Sequence, residues 1–117
     1  MPLTLHGITN CDTMKKARAW LDAKGVAYTF HDYKTQGIAA ETLTGWVREL
    51  GWEALLNRGG TTFRKVPDAQ KAELDEARAI ALMLAQPSLI KRPVLDLGPR
   101  RLVGFSPDAY AKALGAN

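Results

Sequence analysis

Leu3–Trp20, LTLHGITNCDTMKKARAW, changes its hydrophobic period half-way along and holds the chain's single cysteine. Leu3, Leu5 and the Gly7–Ile8 pair alternate as a short strand does. Thr9 and Asn10 are polar residues of the kind that cap helices. From Asp12 onward, Met14, Ala17, Trp20 and Leu21 recur at three- and four-residue steps, the pattern of an amphipathic helix. Cys11 therefore falls where a strand hands over to a helix. Backbone N–H groups there have no intrahelical partner and the macrodipole is positive, so a thiolate is favoured over a thiol. Asn10 and Lys15 are candidates to stabilise it, with Lys16 adding charge and Asp12 opposing. A second reading stands beside this one: cysteine is among the most buried residue types, and a lone one is often inert filler.

Working outward, Gly25 stops the first helix, and Val26–Asp32 (VAYTFHD) alternates as a β-branched and aromatic strand. Strand, helix and strand within some thirty residues make a βαβ unit, whose two strands are expected to be parallel neighbours. His31 at the end of the second strand and His6 within the first have no sequence partner, and both read as strand residues rather than bases. Tyr33–Ala40 reads as a turn, and Glu41–Leu50 as a helix with Leu43, Trp46, Val47 and Leu50 on one face. Trp52–Asn57 adds a further helical turn or two, and Arg58–Thr62 is a glycine-rich connecting loop. Ala69–Leu74 and Glu76–Ala85 are rich in helix formers, and their apolar residues and the methionines read as core packing.

The last third returns to strands. Ile90–Leu97 is a loop entering a strand with Pro93 at its first position, compatible with an edge, a bulge or a cis bond. Gly98–Arg101 is a hairpin turn, Leu102–Phe105 the returning strand, and Ser106–Pro107 the capped start of a final helix ending at Leu114.

Composition bounds the function. The chain has 117 residues, 46 % hydrophobic and 24 % charged, which suits one domain with an ordinary core. No apolar run approaches the ~20 residues of a membrane span, and no signal-peptide pattern opens the chain. One cysteine forms no internal disulfide, so a cytoplasmic protein is expected. The net charge of +4 is spread along the sequence. It suits a small anionic ligand or an acidic partner at least as well as nucleic acid, for which no recognition motif is present. One cysteine and two histidines in strands do not make a metal site.

A βαβ unit followed by ββα, with a cysteine at the first helix and a proline before the third strand, is the α/β thioredoxin-like plan. Here a helical insertion over about 39–86 separates core segments of about 1–34 and 88–117 within a single domain. The phrases GITNCDTMKKARAWL, LIKRPVLDL and LVGFSPDAYAKAL resemble the ArsC/Spx family, which includes glutaredoxin-dependent arsenate reductases and Spx transcription regulators. The runs NCDTMKKA, FHDYK, GWEALLN and GTTFRK resemble its small YffB-like branch. The resemblance implies a nucleophilic Cys11 and a cis Pro93 facing it. The arsenate reductases carry a histidine four residues before the cysteine, where this chain has Gly7. Of their three oxyanion-holding arginines, Arg92 matches one. A second falls at Asn57–Arg58, which makes Arg58 its candidate. The third falls on Gly104, with Arg100 or Arg101 as hairpin substitutes. The Cys-x-x-Cys switch of Spx regulators is interrupted by Met14.

The leading expectation is a monothiol, thioredoxin-like reductase. Cys11 attacks a disulfide or other oxidised acceptor, and glutathione, as co-substrate rather than bound cofactor, resolves the mixed disulfide. The alternatives are arsenate reduction coupled to glutaredoxin, and a non-enzymatic module binding a protein such as RNA polymerase. A monomer with no direct contact to nucleic acid or membrane is expected.

Overall fold

The computed structural model describes residues 3–9 and 11–115. Contacts divide the chain into two compact units, Met1–Asp32 with Arg92–Asn117, and Tyr33–Lys91.

The first unit carries a sheet of β1 (Thr4–Gly7), β2 (Thr29–Asp32), β3 (Val94–Asp96) and β4 (Arg101–Val103), in the order β2-β1-β3-β4. β1 and β2 are parallel, and β3 runs antiparallel to both β1 and β4. This is the thioredoxin-like arrangement that the order of elements implied. α1 (Asp12–Ala23) crosses between the parallel strands, and α8 (Pro107–Leu114) closes the unit. α1 turns Met14, Ala17 and Leu21 inward at helical spacing, to pack with Leu5 and Leu95 of the sheet and Tyr110 of α8. Each buried leucine contributes roughly 2 kcal/mol of transfer free energy.

Gly7 belongs to the same face. A Cβ there would collide with Met14 Sδ, so the methionine occupies the space that only glycine leaves open. α1 ends in paired bonds from Gly25 N–H to Asp22 O and from Val26 N–H to Leu21 O, with Gly25 at φ 68°. This cap shortens β2. Val26 N–H is committed to the helix, and contact with the first strand begins where Thr29 N–H bonds Leu3 O at 2.8 Å.

The hairpin is also shifted. The Leu97 N–H bonds Arg100 O, and Asp96 Oδ1 accepts from Gly98 N–H, so Arg101 belongs to β4 rather than to the turn. Gly104, at φ 82°, leaves the strand, and its N–H bonds Pro93 O at 2.8 Å. α8 starts at a Ser106 cap with Pro107 in its first turn.

The second unit is helical: α2 (Tyr33–Gln36), α3 (Ala40–Leu50), α4 (Trp52–Leu55), α5 (Thr61–Arg64), α6 (Asp68–Ala72), α7 (Glu76–Ala85) and a 3₁₀ turn at Pro87–Leu89. α3 packs on α4 and α7 and buries Leu43, Trp46 and Val47. The turn expected at 33–40 contains α2, and the loop expected at Arg58–Thr62 runs into α5. Each of these single turns has a buried aromatic anchor, Tyr33 or Phe63. No described helix is long and apolar enough to cross a membrane.

Candidate functional site

Cys11 is the N-cap of α1, with extended backbone (φ −145°, ψ 130°), and is half-buried against the core of the first unit. The period change from strand to helix puts it there: its carbonyl accepts the first helical bond, from Lys15 N–H at 3.0 Å, and its side chain stays outside the helix. The thiol makes no capping bond of its own. Its pKa is nonetheless lowered from the ordinary thiol value. Burial acts on it most strongly and pushes upward. The N–H of Met14, the donating Arg92 guanidinium, the N–H of Thr13 and the positive charge of Arg92 together outweigh burial.

Arg92 reaches Cys11 from the far end of the sequence because it lies just two residues before β3, which pairs with β1. The Arg92–Pro93 peptide bond is cis, and Pro93 is buried. Cys11, Arg92 and Pro93 thus belong to one unit, in which both the helix terminus and a guanidinium act on the thiol.

The remaining sequence candidates are placed differently. Asn10 lies outside the described residues. Lys15 is exposed on the first turn of α1. Arg101, half-buried on β4, pairs through Nε with Asp96 Oδ1 at 3.6 Å, the residue opposite it in the β3–β4 ladder. Arg58 belongs to the helical unit, where it pairs with Glu53 at 3.3 Å and lies over the Trp52 ring. Arg18 donates to Tyr28 Oη and covers Phe30. Arg92 is therefore the guanidinium that the described part of the first unit brings to the thiol.

One pairing escaped sequence reasoning. His6 and His31 are directly opposite in the β1–β2 ladder, with ring centroids 4.9 Å apart. His6 is 7 % exposed, and its Nδ1 lies 3.4 Å from Val94 O. Its pKa is lowered to about 4, first by burial and then by the charge of His31. Neither histidine signals this alone, because the contact depends on strand register. The helical unit holds a cavity of about 290 Å³ lined by Leu74, Leu82 and Ala85, with Arg78 tied to Asp75 and the Glu73 carbonyl. Among the described residues no group of three or more His, Cys, Asp or Glu side chains could hold a metal ion.

Residues 6–113 match the sequence profile of the ArsC family. The chain belongs to the ArsC family. Among solved structures, this ArsC-family protein resembles a YffB protein, 68 % identical with a TM-score of 0.93, over 96 % of this chain and 98 % of that one. It is also similar to an arsenate reductase related protein from Brucella melitensis, 54 % identical with a TM-score of 0.79, over 97 % and 95 % of the two chains. Among curated relatives, the global transcriptional regulator Spx of Streptococcus mutans is 30 % identical over 108 residues, 91 % of this chain and 78 % of Spx.

Proposed function

We propose that this ArsC-family protein is a monothiol reductase whose nucleophile is Cys11. The observation that carries the reading is a half-buried thiol at a helix N-terminus with its pKa lowered by backbone N–H groups and by Arg92. The Cys11 thiolate attacks one sulfur of a disulfide R–S–S–R′. A bond forms between Cys11 Sγ and that sulfur, the S–S bond breaks, and R′–S⁻ leaves with the electron pair. The chain has one cysteine, so resolution needs an external thiol. A glutathione thiolate attacks the R sulfur of the mixed disulfide, forms glutathione–S–S–R, and returns Cys11 as thiolate. Over the cycle one disulfide is exchanged for another, with R′–S⁻ released and R left bonded to glutathione. A second glutathione thiolate frees R–S⁻ and leaves glutathione disulfide as the oxidised product, which completes the two-electron reduction. Arg92 favours the thiolate at both ends of the cycle, as attacking and as leaving group. Pro93 has no N–H of its own, and the polypeptide beside it is the surface along which an extended peptide such as glutathione would lie. In this reading the protein acts in the cytoplasm as a monomer.

The test is turnover of a mixed disulfide between glutathione and a small thiol, with reduced glutathione as the second substrate. Wild type is expected to turn over, Cys11→Ser to fall to the uncatalysed rate, and Arg92→Gln to lose rate most strongly at low pH. Full turnover by Cys11→Ser sinks the proposal. Arsenate reduction coupled to glutaredoxin calls for several guanidinium groups converging on the sulfur. Among the described residues of the sheet unit Arg92 supports it, while Arg101 is held by Asp96 and Arg18 by Tyr28 and Phe30. The thiol reductase is accordingly the better-supported reading.

A further inference from the structure

We propose that His6 is a positioning residue for the thiol site: its imidazole, donating from Nδ1 to the Val94 carbonyl, fixes the start of β3 and thereby the Arg92 guanidinium beside Cys11. The proposal deepens the reading of Cys11 as nucleophile. Its test measures thiol ionisation, so it stands or falls separately from the identity of the acceptor.

Side chains along a strand alternate between faces. Leu5 and Gly7 of β1 turn toward α1, Leu5 into the core with Met14 and Gly7 beneath the Met14 side chain. His6, between them, turns to the opposite face of the sheet. Cys11 packs with the Leu5 face. His6 is therefore not placed to take a proton from the thiol, and whatever it contributes must pass through the sheet.

The route through the sheet is short. His6 is directly opposite Val94 in the antiparallel β1–β3 pair, and Nδ1 lies 3.4 Å from the Val94 carbonyl, a long hydrogen bond. A carbonyl oxygen only accepts, so Nδ1 carries the proton in this contact. Val94 is fully buried, and Pro93 and Arg92 immediately precede it. The next carbonyl, that of Pro93, is held from the other side by the Gly104 N–H at 2.8 Å. Consecutive carbonyls are thus fixed by β1 and by the end of β4. Arg92, one residue upstream, inherits that placement when it donates to the sulfur.

His31 completes the support. Its ring, 4.9 Å away and tilted by 42°, holds the His6 imidazole between two strands and disfavours a second positive charge there. Burial and that neighbour keep His6 neutral at physiological pH. A residue retained in its neutral, donor form inside the sheet behaves as a fixed strut rather than as a proton shuttle.

The test follows the rate of Cys11 alkylation by iodoacetamide against pH in five variants, three at His6, Arg92→Gln, and Arg92→Gln combined with His6→Leu, each first checked for a native circular dichroism spectrum. His6→Leu removes the donor at similar volume and is expected to slow alkylation below neutral pH by at least about threefold through loss of thiolate. His6→Asn places an amide donor near the Nδ1 position and is expected to keep the wild-type profile. His6→Gln places its amide further out, at the Nε2 position. It is expected to behave as His6→Leu does and serves in its place if the leucine variant does not fold. In an Arg92→Gln background, His6→Leu is expected to add no further slowing. An unchanged profile in His6→Leu or its substitute overturns the proposal, and so does an equal slowing when Arg92 is already absent.

Discussion

Acidification below neutral pH is expected to cost this protein stability through His6. The imidazole is 7 % exposed and has its pKa lowered to about 4 from the ordinary 6.5. Burial is the main cause and the charge of His31 the second, while the Val94 carbonyl and Asp96 pull the other way. The unfolded chain takes up a proton near pH 6.5 that the folded chain refuses until about pH 4. Stability from this residue is therefore complete above about pH 6.5 and is lost as the pH falls toward 4. At about 1.4 kcal/mol per pH unit, crossing that interval removes about 3 kcal/mol. That is a large share of the 5–15 kcal/mol typical of a small domain. Urea denaturation at several pH values between about 7 and 4, on wild type and on His6→Gln, isolates the contribution. Asp96 and His31 are present in both proteins, so the difference between the two series reports on His6. The wild-type midpoint is expected to fall more steeply than that of the variant between about pH 6.5 and pH 4. Parallel curves would refute the assignment of a neutral, buried imidazole.

Further expectations rest on packing and capping. Tyr110 is fully buried, and its hydroxyl has no hydrogen-bond partner among the described residues, so Tyr110→Phe is expected to be neutral or to raise stability by up to about 1 kcal/mol in a thermal melt. Gly7→Ala drives a Cβ into Met14 and is expected to cost about 1–3 kcal/mol. In a Met14→Ala background the added cost shrinks, which a double-mutant cycle by denaturant unfolding measures. Asp75→Ala removes the acceptor of the Arg78 N–H at the start of α7, and Ser106→Ala removes that of Ala109 N–H at the start of α8. Each is expected to cost about 1 kcal/mol, read from the same unfolding curves.

Interactions within a few residues were legible in the sequence of this ArsC-family protein. The turn from alternation to helical spacing around Cys11 set β1, α1 and the thiol between them. Gly25 and Ser106 marked the end of α1 and the start of α8, because caps are local hydrogen bonds that the chain forms with itself. The one-turn helices α2 and α5 were not legible. Four residues are too few to show a period or to be stable alone, and both depend on an aromatic side chain reaching a core made elsewhere. β2 lost Val26–Tyr28 for a related reason, since the α1 cap had already taken the Val26 N–H.

The candidate site divides along the same line. Sequence alone determined the residue at the helix terminus, Cys11, and the positive end of the dipole beneath it. The tertiary structure decided which cation joins it. Arg92 arrives because β3 pairs with β1, while Arg101 is diverted to Asp96 by the β3–β4 register. The His6–His31 pair exists only because two parallel strands align those positions. Local order is written in spacing along the chain. Register between strands is set by the packing of the whole sheet against its helices, and no stretch of sequence contains it.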